Sequence, residues 1–331
     1  MKRHLAGELL AQAGQRLGVL VELESEFGYV GRIVRPNGSS SYFRNTHFDL
    51  NGAGATAMAH DKAYCTYFLA RLGYRVPEGQ TFFAPLMQQA AGAARDRVAA
   101  YTYARQLGFP VIVKPNRASQ GREVARVYTR RALDAALRAV FAFDPVALVQ
   151  RPVPGADYRI VVLDDRVICA YHRAPLTVTG DGTATLRTLL AAKHAAQAAA
   201  GRDLTLQPSD PRIPLRLARQ GLSLDHVPAA GRRVALLDNA NLSAGGEATD
   251  VSAILHPSYA DLAVRATRDL GLRYCGVDLL TPDPIDAPAR DPVILELNAG
   301  PGLDHYAGLG PAQLAVVAAM YEAILQAILA L

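Results

Sequence analysis

Apolar residues recur at helical spacing over 5–17, 131–141, 184–199 and 257–270, each stretch with one apolar face and one polar face. Two further helices are expected over 60–72 and 95–107, stopped by Gly73 and Gly108. Shorter runs that are rich in Val, Ile, Tyr and Phe read as strands at 18–23, 28–35, 40–44, 111–114, 124–128, 147–150, 158–164 and 167–172. Pro36-Asn37-Gly38 marks a turn in the opening unit, and the Gly/Ala-rich 51–57 marks its end. Val76-Pro77-Glu78-Gly79 then leads into the apolar 81–83. The order strand 111–114, polar loop 116–122, strand 124–128, helix 131–141, strand 147–150 describes a small two-layer lid. From Tyr158 the pattern changes to antiparallel-like strands, a Gly180-Asp181-Gly182 turn, and an arginine-bearing polar stretch to about residue 233.

Two late strands carry isolated acids. Cys275-Gly276-Val277-Asp278-Leu279 holds one, and Val293-Ile294-Leu295-Glu296-Leu297-Asn298 holds another, with an asparagine two residues on. Residues two apart on a strand face the same side, so Glu296 and Asn298 point together, and pairing of the two strands brings Asp278 alongside. Three oxygen ligands converging from apolar strands suit a hard cation of the kind that holds nucleotide phosphates.

Composition narrows the class. The chain has 331 residues, 50% of them hydrophobic, enough for one large core or two to three smaller ones. The C-terminal stretch 314–331 comes nearest to a membrane span, but Glu322 and Gln326 interrupt it, so it reads as an amphipathic closing helix. The start, Met1-Lys2-Arg3-His4, lacks the apolar core of a signal peptide. Cys65, Cys169 and Cys275 are far apart and fit a reducing cytoplasm rather than a disulfide framework or zinc site. The net charge of +5 is scattered, with no basic run for nucleic acid, and anionic small substrates explain it as well. Only four of the 35 basic residues are lysines: Lys2, Lys62, Lys114 and Lys193. Lys114, inside the apolar Val111-Ile112-Val113-Lys114-Pro115, is a compact ammonium suited to capping a phosphate in a narrow pocket.

Several segments then point together. Tyr171-His172-Arg173-Ala174-Pro175, Val178-Thr179-Gly180-Asp181-Gly182, Asn241-Leu242-Ser243-Ala244-Gly245-Gly246, His256-Pro257, Gly276-Val277-Asp278-Leu279 and Glu296-Leu297-Asn298-Ala299-Gly300-Pro301-Gly302 stand in this order and spacing. From about His60 to about Gly302 the chain resembles the ATP-grasp ligases. Within them it is most similar to the ATP-grasp module of cyanophycin synthetase and of the bifunctional glutamate–cysteine ligase/glutathione synthetase. The resemblance implies an α/β (α+β) chain in which two α+β subdomains clamp ATP. Residues 1–57 would form a short N-terminal unit, 58–105 a helical connector, 106–157 the small lid, and 158–331 the C-terminal subdomain with the metal and substrate sites.

The resemblance also implies roles. Lys114, and with it Lys62, would neutralise the nucleotide phosphates. The loop 116–122, with Ser119 and Gly121, would close over the β- and γ-phosphates through backbone N–H groups. It departs from the family in having Gly121 as its only glycine. Gln150 would meet the adenine amino group where relatives commonly carry glutamate, and the backbone of Arg151 and Val153 would complete adenine recognition. Asp157 would hold the ribose hydroxyls, again in place of a usual glutamate. Asp278, Glu296 and Asn298 match the ligands of two Mg²⁺ ions, for which Mn²⁺ can stand in. Arg173 matches the arginine beside the transferring group. Asn241, with Gly245-Gly246, would cradle the carboxylate substrate, and Lys193 stands at a position that is basic in the glutathione-type module. Close relatives carry an arginine four residues before Asn241, where this chain has Leu237, so the acid substrate does not carry over.

The implied activity joins a carboxylate to an amine with ATP, through an acyl phosphate. The acid is an amino acid, a short peptide or a small metabolite, the setting cytoplasmic, and a homodimer is left open. Two other readings share the same residues: an ATP-binding regulator with impaired catalysis, and a kinase that stops at the phosphorylated acid.

Overall fold

The apolar stripe of the first helix decides where the two ends of the chain meet. In the computed structural model, which describes residues 4–202 and 204–331, α1 (Leu5–Leu17) buries Ala6, Leu9, Leu10 and Ala13. These pack on α11 (Pro311–Leu329), which buries Val317, Met320, Tyr321, Ile324, Leu325 and Ile328. Arg16 closes the edge of the contact on Glu322 at 2.7 Å. Among the described residues α11 is the one helix long and apolar enough to cross a membrane; here its apolar face is occupied by α1. After α1 comes an antiparallel sheet of β1 (Val21–Leu23), β2 (Val30–Val34), β3 (Ser40–Arg44) and β4 (His47–Phe48), in chain order.

The stretch 51–57, expected as a Gly/Ala-rich end to this unit, is mostly helix. Alanine propensity outweighs the cost of Gly54, giving α2 (Ala53–His60), and α3 (Lys62–Arg71) follows with Asp61 as its N-cap. The expected connector 58–105 is divided between two bodies. α2 and α3 pack under the C-terminal sheet through Ala59, Cys65 and Leu69. β5 (Gly79–Phe83) and α5 (Arg97–Leu107), separated by the short α4 (Pro85–Ala91), belong to the lid. The reason is strand pairing: β5 extends the lid sheet by bonding along β8 (Val146–Gln150). With β6 (Val111–Pro115), β7 (Ala125–Val127) and α6 (Arg130–Phe141) the lid has the strand order β5-β8-β6-β7. Val111, Val113, Ala147 and Val149 face the lid core with Leu133, Leu137 and Val140 of α6. Alternation therefore sends Ile112 and Lys114, with their partners Gln150 and Leu148, to the opposite face.

The C-terminal subdomain is built on an antiparallel sheet of order β13-β10-β9-β14-β15. Its strands are β9 (Ala156–Leu163), β10 (Arg166–Ala174), β13 (Glu247–Asp250), β14 (Tyr274–Thr281) and β15 (Val293–Asn298). β11 (Thr177–Thr179) and β12 (Arg233–Ala235) form a separate ribbon. α7 (Leu186–Ala199) and α8 (Arg212–Ala218), the latter inside the arginine-bearing polar stretch, share a core with it. One face of the main sheet packs on α2, α3 and α9 (Pro257–Asp269). His256, before Pro257, is the N-cap of α9, and its ring accepts from Ser258 N–H. The other face packs on α1 and α11, and Tyr306 of α10 (Asp304–Ala307) stacks on Tyr171 at 4.3 Å. Along this second face the strands change from apolar to charged. β9 runs from Leu163 and Val161 to Arg159 and Asp157, β10 from Tyr171 to Arg173, and β14 from Tyr274 to Asp278. The charged end lies below the lid.

Leu10 is fully buried between the two ends of the chain. Leu10→Ala is expected to cost about 2–5 kcal/mol through lost contacts and a cavity. A lowered urea midpoint by far-ultraviolet circular dichroism checks this; an unchanged midpoint would show that the α1–α11 contact is dispensable.

Candidate active site

Strand register assembles the floor. Arg159 lies across from Asp278, and Asp157 across from Arg173. Arg159 forks Asp278, Nε to Oδ1 at 2.6 Å and Nη2 to Oδ2 at 2.7 Å. Arg173 donates Nε and Nη2 to Asp157 Oδ1 at 2.9 and 2.6 Å, and its Nη2 stands 3.1 Å from Asp278 Oδ2. The result is a chain of alternating charge, Asp157–Arg173–Asp278–Arg159, across three neighbouring strands. Burial opposes ionisation of Asp278, but the two guanidinium groups outweigh it and hold the carboxyl well below its ordinary range. Asp157 goes the other way, because burial raises it more than Arg173 lowers it. Arg159 escapes a sequence reading: it is one arginine among many, and only the register of β9 with β14 brings it to the acid.

Asp278 also pairs directly with Glu296 on β15, and Glu296 and Asn298 share a face, with Asn298 Nδ2 3.4 Å from Glu296 Oε1. Lys62, from the start of α3, stands 3.2 Å from Glu296 Oε2 and donates to the Ala118 carbonyl of the lid loop at 2.6 Å. Lys114 points from the lid toward the same acids. Burial pushes its ammonium down to about 8 against the attraction of Glu296 and Asp278. Among the described residues no acid is in ion-pair contact with it.

The lid loop is closed. Gln120 and Gly121 have positive φ, and a Cβ on Gly121 would stand 2.5 Å from Asn241 Oδ1 and 2.7 Å from Asn239 Nδ2. The single glycine therefore sits where the loop tip meets the Asn241 loop. Ser119 is exposed beside it, and its carbonyl accepts from Arg122 N–H at 3.2 Å. A cleft of about 810 Å³ is lined by this loop together with Phe143, Arg212 and Ala244 among others.

At the hinge, Gln150 ends β8 with its side chain buried against Gly79. Arg151 N–H is taken by the Glu78 carbonyl at 2.8 Å, and its guanidinium by Glu78 at 2.9 Å and the Leu107 carbonyl at 2.7 Å. With its N–H and guanidinium engaged, Arg151 has its carbonyl to offer a ligand, beside the half-buried Val153. Gly155, at φ +133°, lets the chain pass the Thr281 backbone, which a Cβ would meet at 2.5 Å. Leu237 is buried in the core under the β11–β12 ribbon. Lys193 is engaged away from the floor, by the Thr177 carbonyl at 2.6 Å and by Glu247, beside a cavity of about 420 Å³. Glu247 pairs with Ala174 across the strands, so it leaves the sheet on the face opposite Arg173. The end of α7 and the residue Arg202 just beyond it support the Asn241 loop: Gln197 donates to the Gly245 carbonyl at 3.0 Å, and Arg202 to Leu242 and Gly246 carbonyls at 2.9 Å each.

The donor chemistry fits a hard cation at Glu296 and Asn298, where the Lys62 ammonium already supplies one positive charge at 3.2 Å. Asp278 fits less simply, since Arg159 engages both of its oxygens and Arg173 one of them. It contributes field, and a ligand only through a remaining lone pair.

Two family models match the chain: D-ala D-ala ligase C-terminus over residues 76–178, and RimK-like ATP-grasp domain over 225–316. The first takes in the lid, the hinge, Asp157 and Arg173; the second takes in Asn241 and the acid strands, while Lys62 and Lys193 fall outside both. The glutathione biosynthesis bifunctional protein GshAB of Enterococcus faecalis is 30% identical over 271 residues, covering 76% of this chain and 33% of that protein. Its counterpart from Mannheimia succiniciproducens is 32% identical over 252 residues, covering 70% and 31%. The chain thus spans about a third of the length of these relatives. The bifunctional glutathione synthetase of Pasteurella multocida superimposes with TM-score 0.59 at 23% identity, over 97% of this chain and 44% of that one. D-alanine–D-alanine ligase from Bacillus anthracis gives 0.50 at 14%, over 84% and 68%. At these identities the structures speak for the fold.

Two outcomes follow from the geometry. Arg173→Met strips a partner from two acids, so it is expected to lower stability by about 3–5 kcal/mol as well as activity. An unchanged thermal midpoint would contradict the ion chain. A phosphate held by Lys114 would need its ammonium protonated, so with Lys114 at the phosphates nucleotide affinity is expected to be full below pH 8 and to fall by up to tenfold per unit as pH rises above about 8. Calorimetric titration between pH 7 and 9.5 measures it, and a flat profile removes Lys114 from the phosphate site.

Proposed function

Since the chain belongs to the ATP-grasp family, we propose that it is an ATP-dependent carboxylate–amine ligase that forms an amide through an acyl phosphate, releasing ADP and phosphate. The observation that carries this reading is Lys114: a desolvated cation without an ion-pair partner among the described residues, set above Glu296 and Asp278 under a closed loop. A polyphosphate is the ligand that completes such a charge set.

ATP would lie between the lid face of Ile112, Lys114, Leu148 and Gln150 and the charged end of the C-terminal sheet. Gln150, with the Arg151 carbonyl and Val153 N–H, would hold adenine. Asp157 reaches the ribose only while sharing its charge with Arg173. Lys62 and Lys114 would neutralise the phosphates, and backbone N–H groups around Ser119 and Gly121 would cover them. Glu296 and Asn298, with Asp278 behind them, would hold Mg²⁺ (two ions in the full reading, replaceable by Mn²⁺), which supplies charge neutralisation as the γ-phosphoryl group moves. Arg173 keeps Nη1 outside both of its acid contacts. From there it would stabilise the acyl phosphate and the tetrahedral species formed when the amine attacks. Asn241 and Gly245-Gly246 would seat the acid. Positioning and electrostatics suffice, and no side-chain nucleophile is required.

The named relatives make glutathione or D-alanyl-D-alanine, which favours an amino acid or short peptide as the acid and a small amine as its partner. With Leu237 where close relatives carry an arginine, the particular acid does not carry over from them. Three buried free cysteines suit a cytoplasmic setting, and either a monomer or a homodimer is compatible with the site.

A phosphate-release screen over acid and amine pairs with ATP and Mg²⁺ tests the proposal. Release that needs both partners supports it. Binding without turnover in any pair favours a regulator, and hydroxamate trapping without amide product favours a kinase. In the active pair, Glu296→Ala is expected to abolish turnover with its thermal midpoint near wild type; near-normal turnover at saturating Mg²⁺ would sink the metal assignment.

A further inference from the structure

The side chains of Asp61, so far only the N-cap of α3, and of Asn116, at the start of the lid loop, have no part in the ligand site described above, yet these residues are only 4% and 3% exposed at the joint between the lid loop and the C-terminal body. The first N–H groups of a helix have no partner within it. At the start of α3, Lys62 N–H donates to the Asn116 carbonyl at 3.2 Å, Ala63 N–H to Asn116 Oδ1 at 2.9 Å, and Tyr64 N–H to Asp61 Oδ1 at 3.1 Å. Two of these acceptors belong to the lid: Asn116 follows β6, and its own N–H donates to the Val146 carbonyl at 3.0 Å. The tie is returned through Asp61 Oδ2, which accepts from Arg117 Nε and Nη2 at 3.3 Å each. Lys62 Nζ adds the Ala118 carbonyl. Three successive lid residues are therefore held by one helix end. Asp144 grips Arg117 N–H from the lid side at 2.9 Å.

The two sides of this joint have separate cores. α3 is anchored by Cys65 and Leu69 under the five-stranded sheet, whereas the lid closes on Val113, Leu137 and Val149. Apart from the Asp61–Tyr64 cap and the bonds internal to the lid, each of these bonds thus crosses from one body to the other. Opening the lid would separate buried polar groups that are satisfied only when it is shut.

We propose that Asp61 and Asn116 are positioning residues that latch the lid loop onto the C-terminal body and so set where Lys62 and Lys114 meet the phosphates. This rests on the nucleotide-binding part of the reading above and needs no ligation chemistry. The two oxygens of Asp61 separate its roles: Oδ1 caps α3, and Oδ2 holds Arg117. Asp61→Asn keeps the cap and removes the negative charge that Arg117 binds, while Asp61→Ala removes both.

Tryptic cleavage after Arg122, in the same loop, reports opening in the full chain without turnover. With thermal midpoints near wild type, Asp61→Asn and Arg117→Gln are expected to be cut at Arg122 about tenfold faster. Saturating ATP with Mg²⁺ should restore protection in both, because it selects the closed lid, and Arg117→Lys should recover most of it without nucleotide. If both variants are cut at the wild-type rate while Asp61→Ala merely lowers the midpoint, Asp61 is only a helix cap and the latch is wrong. Faster cutting that ATP leaves unchanged would equally overturn it, by showing damage to the loop and not release of a lid.

Discussion

Four charges that could not be buried singly hold the working end of this fold together. Removing one ion from water costs several kcal/mol, and a partner recovers that only with good geometry. Here the geometry comes from the sheet. Pairing of β9 with β10 sets Asp157 against Arg173, and pairing of β9 with β14 sets Arg159 against Asp278. A slip of one residue would turn every member to the apolar face packed on α9. Register and charge therefore enforce each other, and the same strands serve as hydrophobic core at one end and as polar floor at the other.

The remaining charges have a different character. Glu296 is shared between a lysine and an asparagine at longer distances than the arginine contacts, so it can accept a new cation without breaking the floor. Lys114 is held near the acids without bonding them. Rigid pairs thus position a looser set, and the looser set faces the closed loop. This division suits phosphoryl transfer, in which preorganised charge contributes more than covalent participation.

Much of this was legible in the chain. The acid strands announced themselves because isolated acids in apolar runs need partners, and strand alternation placed Glu296 with Asn298. The lid order was readable from its short elements. Long-range pairing was not. Arg159 carries no local mark, and β5 looked like part of a connector because only its bonds to β8 make it a lid strand. Lys193 stood near the right motif in sequence, but β13 turns its partner Glu247 away from the floor. The segment 51–57 marked the end of the opening unit by its composition, which gave no sign of the helix that its alanines sustain in α2.

The account stands on a carboxylate being phosphorylated over this floor. Once a substrate pair is known, an acid labelled with ¹⁸O in its carboxylate tests that step directly. The account predicts one labelled oxygen in each phosphate released, because the acyl phosphate loses the oxygen through which it was joined when the amine attacks. Phosphate free of label, with amide still formed, would contradict it.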